Sequence, residues 1–299
     1  MKPILAAAAL LAIAQDKVEL KWKFQKGQEF RYRVVQKSTV EMAAMTLEQS
    51  VKTTLSYTVG EVAEDGTASL TIKYEAVAAK ATGPLEYDYD SERDKEIPPN
   101  PAVATMARMV GLSLTVKMEP SGRVREVKGF DKFMEALLKD LGDAPDAPMM
   151  REMFKQNFSD EMIQSNMQQS FLPLPPGPVA KGDSWKNEMT MHVPMVGKMA
   201  VSGQTRLADV QGTEAHLEQD WKMEPKKSEA PGDPNNPLAG LVQMSGMKAR
   251  SKGVFSLERG LFLQVQTDST VTMTAAGQEM EVHVANETRL LEGRPRRNY

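Results

Sequence analysis

Cysteine is missing from all 299 residues. Its absence excludes disulfides, thiolate metal sites and a cysteine nucleophile, and it removes the lipidated cysteine that would anchor an exported chain at its cleavage site. Aromatics are scarce at 6%, so the core must be built from softer side chains. Histidine occurs three times, as His192, His216 and His283, each in a separate strand-like stretch without a His-x-x-x-His or carboxylate-bearing helix motif. No serine stands in a Gly-x-Ser-x-Gly setting, and no glycine-rich phosphate loop follows a strand pattern. Carboxylates are plentiful, but a glycosidase-type pair is defined by distance, which sequence spacing does not give. A basic excess is lacking too: 37 Lys and Arg against 40 Asp and Glu leave a net charge of −3, so no nucleic-acid partner is expected. Together these absences point away from an enzyme and imply no cofactor and no metal.

Long apolar runs are also missing, with one exception. Lys2 is followed by the apolar stretch Pro3 to Ala14 and then by polar Gln15-Asp16-Lys17. A basic start, a run too short for a bilayer and small residues at Ala12 and Ala14 read as a secretory signal cleaved after Ala14, giving a periplasmic or extracellular protein that begins at Gln15. Nothing else approaches the ~20 residues of a transmembrane helix.

What the chain does have is alternation. Phe30, Tyr32 and Val34 point one way and Arg31, Arg33 and Val35 the other, the two-residue period of a half-buried strand. A tip at Met42-Ala-Ala-Met45 leads to a return strand from Leu47 to Val62. Asp65-Gly66 then separates two alternating stretches as a hairpin turn, with Ala68, Leu70, Ile72 and Tyr74 inward. Acidic residues at alternate positions from Glu86 to Glu96 lack the glycine and bidentate glutamate of a calcium loop and read as a solvated edge strand. Asn100-Pro101 caps a short helix ending near Gly111, Leu112, Leu114 and Val116 resume the strand, and Pro120-Ser121-Gly122 turns it back through Val124 and Val127.

The proline-rich seam Phe171-Leu-Pro-Leu-Pro-Pro-Gly-Pro178 forbids both helix interior and central strand. After it the pattern starts again. Lys181-Gly182-Asp183-Ser184-Trp185 matches Lys26-Gly27-Gln28-Glu29-Phe30, Gly212 stands for Gly66, Asn236-Pro237 for Asn100-Pro101 and Gly260 for Gly122. Landmarks in one order with slowly changing spacing predict a duplication. After Val265 the second half adds a hairpin, Ser269 to Met273 and Met280 to Val284. Between the halves, Asp131 to Leu141, Pro148 to Asn157 and Ser159 to Ser170 read as amphipathic helices. The expected fold is therefore mainly β (α+β), with curved antiparallel sheets from two internal repeats and a central helical insertion packed on one face. Its divisions are a signal peptide (1–14), a first β repeat (15–128), the helices (129–170), the seam with the second β repeat (171–291) and a flexible tail (292–299).

The Lys-Gly turns, the Asn-Pro helix, the Gly-x-Val turn and Val179-Ala-Lys-Gly-Asp-Ser-Trp185 resemble a domain-of-unknown-function family of bacterial exported proteins, often lipoproteins. More loosely, a curved antiparallel sheet with helices on its concave side is similar to periplasmic lipoprotein carriers, which implies lipid binding.

Methionine is frequent, with 21 residues, and it gathers at the expected hairpin ends: Met42 and Met45, then Met189, Met191, Met195 and Met199, then Met273 and Met280. Thioethers fill gaps in a core, and they also make adaptable binding surfaces. The helical period places Met150, Met153, Phe154, Ile163 and Met167 on one apolar face and leaves Gln156, Asp160 and Gln164 to solvent. Together with Met189 and Met191, that face is the candidate site for an apolar ligand, a lipid or lipoprotein, or for an envelope protein partner. The alternative is a structural envelope protein with no small ligand. A remoter reading takes Met189, Met191, His192, Met195 and Met199 as soft ligands for copper(I).

Overall fold

The computed structural model describes residues 16–42, 45–83, 86–138, 160–168, 170–193, 197–226, 242–275 and 278–292. The signal segment, the expected helix Pro148 to Asn157 and Asn236-Pro237 lie outside these residues.

Among the described residues the strands form one antiparallel sheet of twelve. The first half supplies β1 (Glu29–Met42), β2 (Met45–Val62), β3 (Ala68–Thr82), β4 (Tyr87–Asp90), β5 (Ser113–Met118) and β6 (Val124–Lys128). The second supplies β7 (Ser184–Val193), β8 (Gly197–Gln211), β9 (Glu214–Pro225), β10 (Val242–Ser256), β11 (Leu261–Ala275) and β12 (Gln278–Leu291). Across the sheet the order is β6-β5-β3-β2-β1-β12-β11-β10-β9-β8-β7, with β4 on β3 beside this path. The halves are joined where Arg31–Val40 pairs with Val282–Leu291. The hairpin expected after Val265 is longer than its alternation suggested, because Thr, Gln and Asp continue the ladder as far as Ala275.

Both Lys-Gly turns are built alike. Gly27 N–H donates to Val59 O and Val59 N–H to Gln28 O, while Gly182 N–H donates to Leu207 O and Leu207 N–H to Asp183 O. Each turn thus hangs the entering strand on the next one. The side chain after each glycine also reaches back, Gln28 Oε1 accepting from Gln25 N–H and Asp183 Oδ2 from Ala180 N–H.

At the end of the sheet that carries these turns lies the main core. Phe30 stacks on Tyr57 at 4.9 Å, Tyr32 meets Tyr57 edge-on, and Trp22, Phe171, Phe255 and Phe262 interlock beside them. Half of the chain's 18 aromatics belong to this core. Residues 18–24 and the proline-rich seam cross this end as irregular chain. Val18 pairs with Val179, Trp22 N–H donates to Pro120 O, Lys23 N–H to Gly260 O and Leu174 N–H to Ser121 O. The Tyr32 hydroxyl donates to Phe262 O at 2.7 Å, and burial pushes the Tyr32 and Tyr57 phenols far above their ordinary range.

Among the described residues three helices accompany the sheet: α1 (Pro101–Met109), α2 (Phe130–Leu138) and α3 (Asp160–Gln168). Asn100 caps α1 through Oδ1, which accepts from Val103 N–H at 3.3 Å. Val103 and Ala107 of this helix bury against Ala79 and Tyr89. Of the acidic run from Glu86 to Glu96, only Tyr87–Asp90 is strand, and a turn follows. Its Asp94 carboxylate accepts from Asp90 N–H, and Arg93 beside it holds that carboxyl down at about 2.

Strands β6 and β7 are the two edges of the sheet, and α3 lies across both. Gln164 Nε2 donates to Val124 O at 2.7 Å, Gln168 Oε1 accepts from Val124 N–H at 2.8 Å, and Gln168 Nε2 donates to Gly122 O at 3.0 Å. On the other edge the Ser165 hydroxyl donates to Thr190 O at 2.6 Å. Gln164, expected to face solvent, is instead part-buried, because the open backbone of β6 is a better partner than water for its amide.

Candidate functional site

Register stacks the inward side chains into rows that cross the strands, inward meaning the face that carries the main core. Above that core, Thr205, Gln219, Ser251, Thr267, Asn286 and Gln36 lie opposite one another in turn from β8 to β1. Thr205, Gln219 and Ser251 are buried, and each has a polar side-chain partner. Gln219 Nε2 donates to Thr205 Oγ1 at 2.8 Å, Asn187 Nδ2 donates to the same oxygen at 3.1 Å, and the Ser251 and Thr267 hydroxyls share a bond of 2.8 Å. The buried part of this row pins register, since a one-residue slip would strand its hydrogen-bonded partners.

The next row is mostly small: Gly203, Trp221, Ala249, Ser269, Val284 and Ser38. Trp221 lies over Gly203 so closely that a Cβ there would sit 2.3 Å from the ring. One step further comes an apolar row of eight residues: Met189, Val201, Met223, Met247, Val271, Val282, Val40 and Leu47. Beyond it the hairpins end in methionine pairs, Met191 opposite Met199, Met273 opposite Met280 and Met42 opposite Met45.

This apolar surface is unevenly covered. Met199, Val201 and Met223 are buried, with Met189, Met191, Trp221, Met244 and Met247 packed around them. Val271, Val282, Val40 and Leu47 are only half-buried. None of these four was among the expected site residues, because within one strand each looks like any apolar position of a half-buried strand. Their alternation with polar neighbours was the available signal.

Of the expected site residues, Met189 and Met191 therefore fall in one cluster at the methionine end. Ile163 is buried in α3 and Met167 packs against the main core, so neither joins that cluster. Met150, Met153 and Phe154 lie outside the described residues. So do Met195 and the side chain of His192, which leaves Met191, Met189 and the fully buried Met199 of the soft-metal set. Among the described residues no three His, Asp or Glu converge as a metal site would require.

The opposite face is hydrophilic. Strands β7 to β12 and β1 enclose there a cleft of ≈ 1710 Å³ lined by Lys, Arg, Asp, Glu, Ser and Thr. Arg250 lies opposite Asp220 and Asp268, and Lys252 opposite Glu218, so charge is largely matched in those rows.

Among the described residues no helix is long and apolar enough to cross a membrane, a statement that does not bear on membrane strands. No curated protein matches the chain. A solved structure that aligns with it is the crystal structure of Pseudomonas aeruginosa OccK5 (OpdH), at 7% identity and a TM-score of 0.25, covering 89% of this chain and 98% of that one. The profile of a family of unknown function, DUF6263, matches residues 65–257, more than half of the chain, and the protein belongs to that family.

Proposed function

We propose that this is an exported, non-enzymatic binding protein of the bacterial envelope that holds an apolar ligand, a lipid or the lipid-bearing part of a lipoprotein, against the inner face of its sheet. The single observation that carries the reading is the half-buried apolar row Met247, Val271, Val282, Val40 and Leu47. Leaving apolar area in water forgoes roughly 25 cal/mol per Å², and a contiguous row of it marks a binding surface more often than a scatter does. Methionine at the rim suits a ligand of variable shape. Export rests on the signal-like residues 1–14, and a binding role in place of catalysis rests on the sequence motifs.

We also infer that the two halves arose by duplication. The Lys-Gly turns carry equivalent backbone bonds, and Gly66 and Gly212 both turn the second strand of a half into its third. The complete burial of Met199 and Met223 favours the alternative of a sealed core on the β8–β9 side, with no ligand there.

Titration with an environment-sensitive apolar dye tests the reading. Val282→Ser and Val271→Ser are expected to weaken dye binding severalfold while costing only about 1 kcal/mol of stability, since both sites are half-exposed in the free protein. Unchanged dye binding in folded variants would remove the row from the site.

A further inference from the structure

Across the outer face, directly behind the small and methionine rows, Ser202, Lys222, Lys248, Thr270, His283 and Thr39 stand opposite one another on six consecutive strands. All six line the hydrophilic cleft. Lys222 and Lys248 are immediate cross-strand neighbours, an arrangement that like charge makes unfavourable. The neighbouring rows solve the same problem with carboxylates, Asp220 and Asp268 flanking Arg250, and Glu218 facing Lys252. In this row Lys248 has only Lys222 and Thr270 beside it and no carboxylate within ion-pair distance among the described residues, and Lys222 reaches Glu224 at 3.4 Å along its own strand. His283 Nδ1 and Thr270 Oγ1 approach to 3.3 Å. From Ser202 to Thr39 the row is thus a line of donors in a concave surface, bounded at its β7 end by Glu188 opposite Ser202, with the charge of Lys248 uncompensated at its centre among the described residues.

We propose that this row binds a ligand carrying phosphate groups, laid across the strands, with Lys222 and Lys248 as its charge anchors and the hydroxyls of Ser202, Thr270 and Thr39 as lateral donors. Neighbouring strands are ~4.8 Å apart, so the lysines can share one phosphate and leave His283, two strands beyond Lys248, to meet a second. The site is independent of the inner-face ligand, since it lies on the other side of the sheet.

Isothermal titration calorimetry of the intact protein with tripolyphosphate at low ionic strength tests it. Saturable binding that weakens with salt is expected, falling about tenfold or more in Lys222→Gln and in Lys248→Gln and unchanged in the control Lys73→Gln on β3. Thermal unfolding of the same variants separates binding from structure: relief of like-charge repulsion should leave Tm unchanged or raised. A lowered Tm with unchanged binding would overturn the assignment. A second arm uses vesicles of phosphatidylglycerol against phosphatidylcholine. Co-sedimentation with the former alone, competed by tripolyphosphate, assigns the phosphate to a lipid headgroup, and tripolyphosphate binding without co-sedimentation assigns it to a soluble ligand. Absence of binding in both arms, or equal tripolyphosphate binding by all three variants, refutes the proposal.

Discussion

Gly122 and Gly260 show how much can rest on a missing side chain. Both have positive φ, 85° and 63°. A Cβ on Gly122 would come 2.8 Å from Leu172 O and 2.9 Å from Trp22 Nε1, and one on Gly260 would come 2.4 Å from Lys23 Cβ. The two hairpin turns are therefore the rails along which residues 22 and 23 pass. Gly122→Ala and Gly260→Ala should each lower stability by about 2–4 kcal/mol, combining backbone strain with displacement of the crossing segment, as urea unfolding would measure. Replacement of Gly66, whose neighbour is the tip of the Pro120 ring, should cost less. The sequence marked both glycines as turns, because Gly beside polar residues between alternating stretches is a local signal. Their contact with residues 22 and 23 is tertiary, and no local pattern announces it. Tyr57 gives a pH prediction. Its folded pKa is raised above the ordinary value near 10, so its contribution is fully present below pH 10 and declines as pH rises beyond it, because the unfolded phenol ionises and the buried one does not. Thermal unfolding should thus show falling stability above about pH 10, with a shallower fall in Tyr57→Phe.

At the scale of elements, α3 does the work of a missing strand. Two glutamines a helical turn apart present amide groups to Val124 N–H, Val124 O and Gly122 O, and a serine one turn-face away takes Thr190 O. An exposed edge strand invites pairing with another chain, and covering it with a helix is one way to prevent that. Gln168→Ala leaves one part-buried donor and two acceptors without this partner and should cost about 1–3 kcal/mol. Hydrogen exchange at the Val124 amide should quicken in this variant, whereas a loss of stability with Val124 protection unchanged would show that the helix serves the core alone. The amphipathic period correctly marked this segment as a helix and set Ile163, which is buried, on its apolar face. It misplaced Gln164, because periodicity separates polar from apolar but does not distinguish water from a sheet edge as the polar partner. The strands were easier to read where one face is apolar, as in β3 with Ala68, Leu70 and Ile72, than in β10 to β12, where threonine and serine blur the alternation.

The whole molecule is one sheet shared by both halves, so the halves should not melt separately. The ladder between β1 and β12 and the crossing of residues 18–24 from Val179 past Pro120 to Gly260 tie them together. Calorimetry should show a single transition with equal calorimetric and van't Hoff enthalpies, and two resolved transitions would mean that the halves are separate folding units. On the inner face of this sheet the polar row, the small row and the methionine and valine row follow one another from the sealed end toward the hairpin tips. That gradient is what a ligand of mainly apolar character would meet on entering from the tips. The order of these rows was not legible in the sequence, since it depends on register among eight strands whose pairings span the chain. Native mass spectrometry of the protein purified from a bacterial host, followed by lipid extraction, decides whether the inner face holds a lipid. A folded species with added mass is expected, which extraction identifies as lipid and which Val282→Ser diminishes. A folded wild-type protein at its bare chain mass, with no extractable lipid, would contradict lipid binding.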